Sequence, residues 1–157
     1  MAELTKKRRS VLTETAESLS GRLLALDLGA KRVGVAICDE LRVTVRPLAA
    51  IERRSWKDLL RRVSELIESY EARALIVGLP SRLDGAEGPA AKEARSIAEK
   101  FQRSLSVPVY LQNESLTTFE AASHLKAAGK RKGYIDQQID SEAAAIILGD
   151  FIHEQQP

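Results

Sequence analysis

Three acidic residues of this sequence stand where an ionised side chain needs a physical explanation. The first, Asp27, interrupts the segment Leu23–Leu28, whose other residues are all apolar. An isolated carboxylate among such residues costs several kcal/mol unless it is paired or binds a metal. A hydrogen bond from the turn Gly29-Ala30 would also account for Asp27, so both interpretations stay open for this residue alone.

The other two acids are Glu114 and Asp140. Glu114 ends a predicted parallel strand, at the sheet edge where open α/β sheets collect ligands, although a solvated loop residue is the simpler interpretation of Glu114 alone. Asp140 belongs to a helical stripe that faces the predicted core. The helix dipole, which favours an acid in a first turn by about 0.3–1 kcal/mol, does not explain this inward face. The other members of the stripe are Ala143, Ala144, Ile147 and Phe151.

Three carboxylates that converge cannot all stay ionised without a cation, because each raises the pKa of its neighbours. Mg²⁺ or Mn²⁺ would relieve the repulsion, since both take oxygen ligands and complete their shells with water and phosphate. A pair of such ions can activate water and stabilise the leaving 3′-oxygen during attack on a phosphodiester. The residues therefore predict metal-dependent cleavage of nucleic acid.

The elements that would position these acids follow from hydrophobic periodicity and turn residues. Strands are predicted at 23–28, 33–38, 43–51, 74–79 and 107–111, with Pro47 marking an edge or a bulge. Helices are predicted from the Ser55 cap onwards, over 88–104, from Thr117 to Gly129, and over 137–151. The order βββαβαβα predicts an α/β fold, a mixed five-stranded sheet with helices on both faces.

Length and composition predict one domain over 21–154, after a loose polar tail over 1–20 that carries the basic run Lys6–Arg9. The 157 residues are 44% hydrophobic, enough for a single core. The sequence has no run of 18 apolar residues and no signal-peptide core. We therefore expect a cytoplasmic protein that neither enters nor crosses a membrane. The single cysteine, Cys38, excludes an internal disulfide and a cysteine-based zinc cluster.

Four sequence motifs occur in order along 21–154. They are Asp27-Leu-Gly-Ala-Lys-Arg-Val-Gly-Val-Ala, Val77-Gly-Leu-Pro with Asp84-Gly85 and Glu87-Gly88, Glu114-Ser-Leu-Thr-Thr, and Ile139-Asp-Ser-Glu-Ala-Ala. Together they resemble the motifs of the YqgF family, Holliday-junction-resolvase-like proteins also described as pre-16S rRNA nucleases. The resemblance implies a ribonuclease-H-like fold, with Asp27, Glu114 and Asp140 as catalytic and metal-binding residues.

The sequence departs from the family pattern at two places. Asn113 and Ser115 flank Glu114 where the family usually has an acid and an arginine, and Ser81-Arg82 replaces the usual Leu-Asn. We hypothesise that Arg82 supplies the cation that Ser115 cannot, and Asn113 is a candidate neutral oxygen ligand.

Basic and hydroxyl residues near these motifs are candidate phosphate contacts, although each is also explained as a solvated or capping residue. Lys31 and Arg32 follow Asp27 in the first turn, and the glycine-containing loop 126–133 is a candidate phosphate clamp. His124 has no metal-spaced partner and is interpreted as structural or exposed. Aromatic residues make up only 4%, which argues against base stacking. The remaining candidates are Arg82, Thr117, Thr118, Lys130, Arg131 and Lys132.

The leading functional hypothesis is a nuclease for the 5′ end of pre-16S rRNA, acting on structured RNA as a monomer or homodimer. A Holliday-junction resolvase acting on branched DNA would need a dimer. A ribosome or transcription factor that binds nucleic acid without catalysis is a third class, made credible by Asn113 and Ser115. The segment 27–32 also resembles the first phosphate loop of actin-like ATPases, but the chain is too short for their two lobes.

Overall fold

The structure is a computed structural model that describes residues 20–80, 86–114 and 132–156, with the helix course but not the side chains over 132–140. Residues 1–19, and so nearly all of the predicted tail, lie outside this description. The strands are β1 (Leu23–Leu28), β2 (Arg32–Cys38), β3 (Val45–Glu52), β4 (Ala74–Leu79) and β5 (Val109–Asn113). The helices are α1 (Trp56–Tyr70), α2 (Pro89–Ser104) and α3 (Lys132–Gln155).

The five strands form one mixed sheet in the order β3-β2-β1-β4-β5. The first three strands pair antiparallel as a meander, whereas β4 and β5 run parallel to β1. The predicted α/β architecture and the order βββαβαβα are confirmed for the described elements. Pro47 lies on the edge strand β3, where its missing N–H is tolerated, and the register of β2 and β3 shifts between Val33 and Val35.

Alternate residues of each strand point to opposite faces of the sheet, and the two faces are covered by different helices. On one face, Leu24 and Leu26 of β1 belong to a core cluster with α1 and α2. On the other face, Leu23 and Ala25 belong to a second cluster with α3. We call these the α1/α2 face and the α3 face. The helices therefore cover both faces of the sheet, as predicted.

Local sequence signals explain α1 and its contact with α2. The Ser55 hydroxyl accepts a hydrogen bond from the Asp58 amide at 3.1 Å, which confirms the predicted cap. Apolar residues at helical spacing then turn Leu59 and Val63 into the core. Trp56 meets Phe101 of α2 with ring centroids 4.8 Å apart. None of the described helices is both long enough and apolar enough to cross a membrane.

Helix α3 crosses all five strands. The Ser141 hydroxyl donates to the Leu48 carbonyl of β3 at 2.5 Å, and near the other end Glu154 accepts a hydrogen bond from Gln112 of β5 at 3.0 Å. Residues 141 and 154 are separated by about 20 Å of helix rise, which matches four strand spacings of roughly 4.8 Å. The helix therefore runs nearly perpendicular to the strands.

Three elements differ from prediction by two or more residues at one end or both. Strand β5 covers Val109–Asn113 instead of 107–111, because the polar residues Gln112 and Asn113 still pair with β4. Strand β3 is Val45–Glu52 instead of 43–51. Helix α3 is longer than the predicted 137–151 at both ends. It therefore includes Lys132 and Gly133, which the sequence predicts in a loop.

Candidate functional site

Asp27 occupies the fifth of the six positions of β1, near the carboxyl end of the strand. Strand alternation places its side chain on the same face as Leu23 and Ala25, which pack beneath α3. The residue is partly buried, whereas Leu23 and Ala25 are fully buried. The acid that interrupts the apolar segment therefore faces the helix that carries Asp140.

Gly78 lies next to Asp27 in the sheet. Strands β1 and β4 are parallel with Leu26 opposite Val77, so the next residue of each strand, Asp27 and Gly78, lie side by side. Ala74 and Ile76 of β4 belong to the α3-face cluster, and alternation puts Gly78 on that face as well. A residue without a side chain therefore stands beside the first carboxylate.

Glu114 directly follows β5 and lies on the side of Gly78 that is opposite to Asp27. Its amide donates to the Leu79 carbonyl at 3.0 Å, which fixes the backbone at the end of the strand. Its Oε1 atom lies 3.4 Å from the position that a Cβ on Gly78 would occupy, and the Ile147 Cδ1 atom of α3 lies 2.5 Å from that position. Glu114 and Asp27 therefore flank Gly78 on the α3 face.

The stripe predicted on α3 faces the core. Ala143 and Ala144 are 5% and 0% exposed, and Ile147 and Phe151 are buried. Asp140 belongs to the same helix and precedes the anchored Ser141, but its side chain lies outside the described residues. Among the side chains that are described, no group of three His, Cys, Asp or Glu residues is placed to hold a metal. Asp140 as the third ligand stays a prediction.

The turn between β1 and β2 carries Lys31 and Arg32. The Gly29 amide donates to the Arg32 carbonyl at 2.9 Å and to the Asp27 carbonyl at 3.1 Å, which closes the turn. Lys31 is exposed and Arg32 is partly buried. Because this turn follows β1 directly, both basic residues belong to the sheet edge where Asp27 and Glu114 lie.

Asn113 does not join the two carboxylates. It is exposed, and alternation along β5 directs its side chain to the face of Leu111, opposite to that of Glu114. The structure does not support the hypothesis that Asn113 is a neutral oxygen ligand of the same site.

Several predicted residues fall outside the part of the chain that the structure describes. They include Ser115 and Arg82, the cation proposed to compensate for it. The predicted helix from Thr117 to Gly129 also lies outside the described residues. Lys132 is placed only as part of the α3 backbone. The other predicted residues outside the description are Thr117, Thr118, His124, Lys130 and Arg131.

Gly78 and Ser141 lie within two of the family motifs without a predicted role of their own, and Arg53 and Gln112 lie outside all four motifs. Gly78 had a signal, a glycine within an otherwise apolar strand. Ser141 and Gln112 are the two buried polar residues among the described side chains, and both hold α3 to the sheet. The contacts of Arg53 are with residues distant in sequence, so no local pattern could have revealed them.

A cleft of about 350 Å³ lies at the opposite edge of the sheet, where β1 and β4 begin. Arginine and glutamate side chains both line it, so it has no single sign of charge. The cleft is lined by Gly21, Arg22, Glu40, Leu41, Glu71 and Arg73.

The described fold is similar to solved structures of RuvC. The chain is similar to Thermus thermophilus RuvC in complex with a Holliday junction substrate, with a TM-score of 0.54 at 13% identity, covering 85% of this chain and 96% of that one. A second Thermus thermophilus RuvC structure gives a TM-score of 0.52 at 15% identity, covering 85% and 95%. At such identities the likeness concerns the fold alone, and it confirms the predicted ribonuclease-H-like architecture.

Sequence comparison identifies closer relatives. A protein of Anaeromyxobacter sp. (strain K) named "Putative pre-16S rRNA nuclease" is 40% identical over 136 residues, covering 87% of this chain and 99% of the relative. Proteins of the same name from Syntrophus aciditrophicus (strain SB) and Streptomyces avermitilis are 36% and 40% identical, covering 83% and 82% of this chain and 87% and 83% of the relatives. The family model described as "RuvX: Holliday junction resolvase" matches residues 21–154. The resemblance to the YqgF family is thereby confirmed, and the chain belongs to the RuvX family.

Proposed function

We propose that this protein is a metal-dependent nuclease that hydrolyses phosphodiester bonds during 5′-end processing of pre-16S rRNA in the cytoplasm. One observation carries the proposal. Asp27 and Glu114, 87 residues apart in sequence, flank Gly78 on one face of the sheet at the carboxyl ends of parallel strands. Ligands of open α/β sheets bind at such an edge.

The donor set fits Mg²⁺ or Mn²⁺. Two carboxylates at one sheet edge supply hard oxygen ligands, and Asp140 on α3 is the proposed third. Asp27, Glu114 and Asp140 would hold the metal, which when bound lowers the pKa of a coordinated water and neutralises developing charge on phosphate.

The chain's own residues have distinct roles in this proposal. Ile147 closes the space above Gly78, which limits water behind the carboxylates. Exposed Lys31 binds a phosphate beside the cut, and Arg32 lies next to it on the same turn. Arg82, Thr117, Thr118, Lys130, Arg131 and Lys132 are proposed as further phosphate contacts.

The choice of RNA substrate rests on relatives named for pre-16S rRNA that cover most of this chain. The test is a cleavage panel of an rRNA precursor, duplex RNA, single-stranded RNA and a four-way DNA junction, each with Mg²⁺ or Mn²⁺. We expect trimming of the precursor by the wild type and none by Asp27→Asn or Asp140→Asn. Glu65→Gln, an exposed acid on α1, is the matched control and should cut normally. Equal cleavage by wild type and both Asp variants would refute the metal site.

A second candidate is a Holliday-junction resolvase, because the matching family model carries that description. Resolution needs two active sites and therefore a homodimer, whereas rRNA trimming can be done by a monomer. Symmetric nicking of the junction by a dimer, with an untouched rRNA precursor, would favour resolution. If neither substrate is cut but both are bound, a non-catalytic nucleic-acid-binding protein is the remaining class.

A further inference from the structure

Arg53 links three parts of the molecule at the carboxylate edge. Its Nη1 atom donates to the Gly29 carbonyl at 2.9 Å, and its backbone amide donates to the Lys31 carbonyl at 2.9 Å. Its Nη2 atom lies 2.7 Å from Glu93 Oε1 on α2. Arg53, just after β3, therefore binds the turn between β1 and β2 at Gly29 and at Lys31, and it joins this turn to α2.

The contacts of Arg53 differ from those of its neighbour Arg54. The Arg53 side chain is 23% exposed and uses two guanidinium nitrogens in two directions. The Arg54 side chain is 63% exposed and pairs only with the equally exposed Glu52 in the described contacts. A planar guanidinium can satisfy a carbonyl and a carboxylate at once, whereas a lysine ammonium lacks that fork. Arg53 is thus built into the structure, and Arg54 is a surface charge.

We propose that Arg53 is a positioning residue that fixes the turn so that Lys31 presents its ammonium at the edge of the sheet where β1 and β5 end. The guanidinium itself is directed to Gly29 and Glu93, so Arg53 acts through the turn and Lys31 binds the phosphate. The proposal rests on the proposed function, because it assumes that a nucleic-acid phosphate binds at this edge.

The backbone geometry explains why the turn needs this support. Gly29 lies two residues after Asp27, and its amide is shared between the Asp27 and Arg32 carbonyls. Its own carbonyl is the group that Arg53 binds. Without the guanidinium, Gly29 and Lys31 keep only backbone bonds and gain freedom. A mobile Lys31 loses entropy on binding phosphate, which weakens affinity without changing the number of charges at the contact.

The binding test compares Arg53→Gln with Arg54→Gln, which remove the same charge from adjacent positions. All variants carry Asp27→Asn to prevent cleavage, and binding to a fluorescein-labelled RNA duplex is measured by anisotropy at several salt concentrations. We expect Arg53→Gln to raise Kd about fivefold and Arg54→Gln less than about twofold. Lys31→Ala should reduce the salt slope by about one.

Coupling identifies the route by which Arg53 acts. In a Lys31→Ala background, Arg53→Gln should add little to Kd, because the cation that it positions is already gone. Arg53→Lys and Glu93→Gln should give intermediate values, since each keeps one of the two contacts. Equal effects of Arg53→Gln and Arg54→Gln, or fully additive effects of Arg53→Gln and Lys31→Ala, would overturn the proposal.

Amide hydrogen exchange of Gly29 keeps this test separate from that of the proposed function. Arg53→Gln should speed exchange at Gly29 about tenfold with an unchanged far-UV spectrum, and Arg54→Gln should not. If the wild type neither binds nor cuts RNA, the proposed function fails. Even then, faster Gly29 exchange in Arg53→Gln but not in Arg54→Gln would support the claim that Arg53 fixes the turn. Unchanged exchange in Arg53→Gln refutes it whatever the activity.

Discussion

The α1/α2 face and the α3 face of the sheet are built from alternate residues of the same strands, yet they differ in the size and polarity of those residues. The α1/α2 face carries bulky aliphatic residues such as Leu24, Leu26 and Val77. The α3 face mixes large residues such as Ile76 and Tyr110 with several small ones, Ala25, Ala36 and Ala74, and then carries the polar series Asp27 and Glu114 on either side of Gly78. Small residues let α3 approach the sheet closely, and the polar series begins where the strands end.

The difference shows how one sheet separates stability from chemistry. Because side chains alternate, each strand can contribute large residues to one core without crowding the site on the other side. Both buried polar side chains among the described residues, Ser141 and Gln112, lie at the α3 interface, where they fix the helix that carries Asp140. Substitutions of neighbouring residues on one strand should therefore have opposite effects: one should lower cleavage and spare stability, and the other should lower stability and spare cleavage.

The largest expected effect is on the α3 face, at Asp27. Asp27→Asn keeps the shape of the side chain and removes the charge proposed to hold the metal, so we expect cleavage to fall by about 1,000-fold. The midpoint of thermal unfolding should stay within a few degrees of the wild type. Initial rates on the rRNA precursor with Mg²⁺, together with a melting curve, check both parts. Loss of folding instead of activity would show that Asp27 is structural.

The adjacent residue, Leu26, should behave in the opposite way. Leu26→Ala removes a fully buried side chain from the α1/α2 face, and such truncations cost about 3 kcal/mol of unfolding free energy. Urea denaturation measures this change. The rate of cleavage per folded molecule should remain near that of the wild type. A larger loss of activity than of stability would mean that the two faces are coupled.

The strand and helix order was predictable because the local signals are strong. The apolar segment Ala74–Leu79, the Ser55 cap and the periodicity of α1 each depend on neighbouring residues only. The inward stripe of α3 was predictable for the same reason, and its described members are buried. Boundaries were less predictable, because pairing with β4 extends β5 into polar residues that have weak strand preference.

The candidate site was predictable only in part. The face of Asp27 follows from strand alternation, and the family motifs indicated Glu114. The position of Glu114 against Gly78 depends on the register of β4 with β5, which a single sequence does not specify. Asn113 is next to Glu114 in sequence but not in space, because consecutive strand residues face opposite ways. Arg53 depends on contacts 24 and 40 residues away.

Gly78→Ala tests whether the α3 face has room for a larger side chain, and its expected effect is smaller than those of Asp27→Asn and Leu26→Ala. A Cβ at this position would lie 2.5 Å from the Ile147 Cδ1 atom and 3.4 Å from Glu114 Oε1. The end of Ile147 must move, so Gly78→Ala should lower the unfolding free energy by about 1–2 kcal/mol. Displacement of Glu114 should also reduce cleavage. Adding Ile147→Val removes the clashing methyl and should recover most of the stability. No recovery would place the strain in the backbone instead.

Cys38 gives the smallest effect and tests whether chemistry on the α3 face is confined to the carboxylate edge. It is a free thiol in the α3-face cluster, at the far end of β2, where its sulfur accepts a hydrogen bond from the Leu23 amide at 3.2 Å. Burial raises the pKa of the thiol above its usual value of 9.0. The folded state therefore keeps its proton when the unfolded state has begun to lose it.

The sign of the pH dependence follows from that difference. The contribution of Cys38 to the free energy of unfolding is fully present below pH 9.0. It is lost as the pH rises towards the pKa of the thiol in the folded state. The unfolding free energy of the wild type should thus fall more steeply above pH 9.0 than that of Cys38→Ala, by less than about 1.4 kcal/mol per pH unit. Urea denaturation from pH 7 upwards measures the two slopes, and their difference cancels the titration of lysines and tyrosines.

Cys38→Ala should also cleave RNA at the wild-type rate when folded. A loss of activity in that variant would extend the functional part of the α3 face from the carboxylate edge to the opposite end of the sheet.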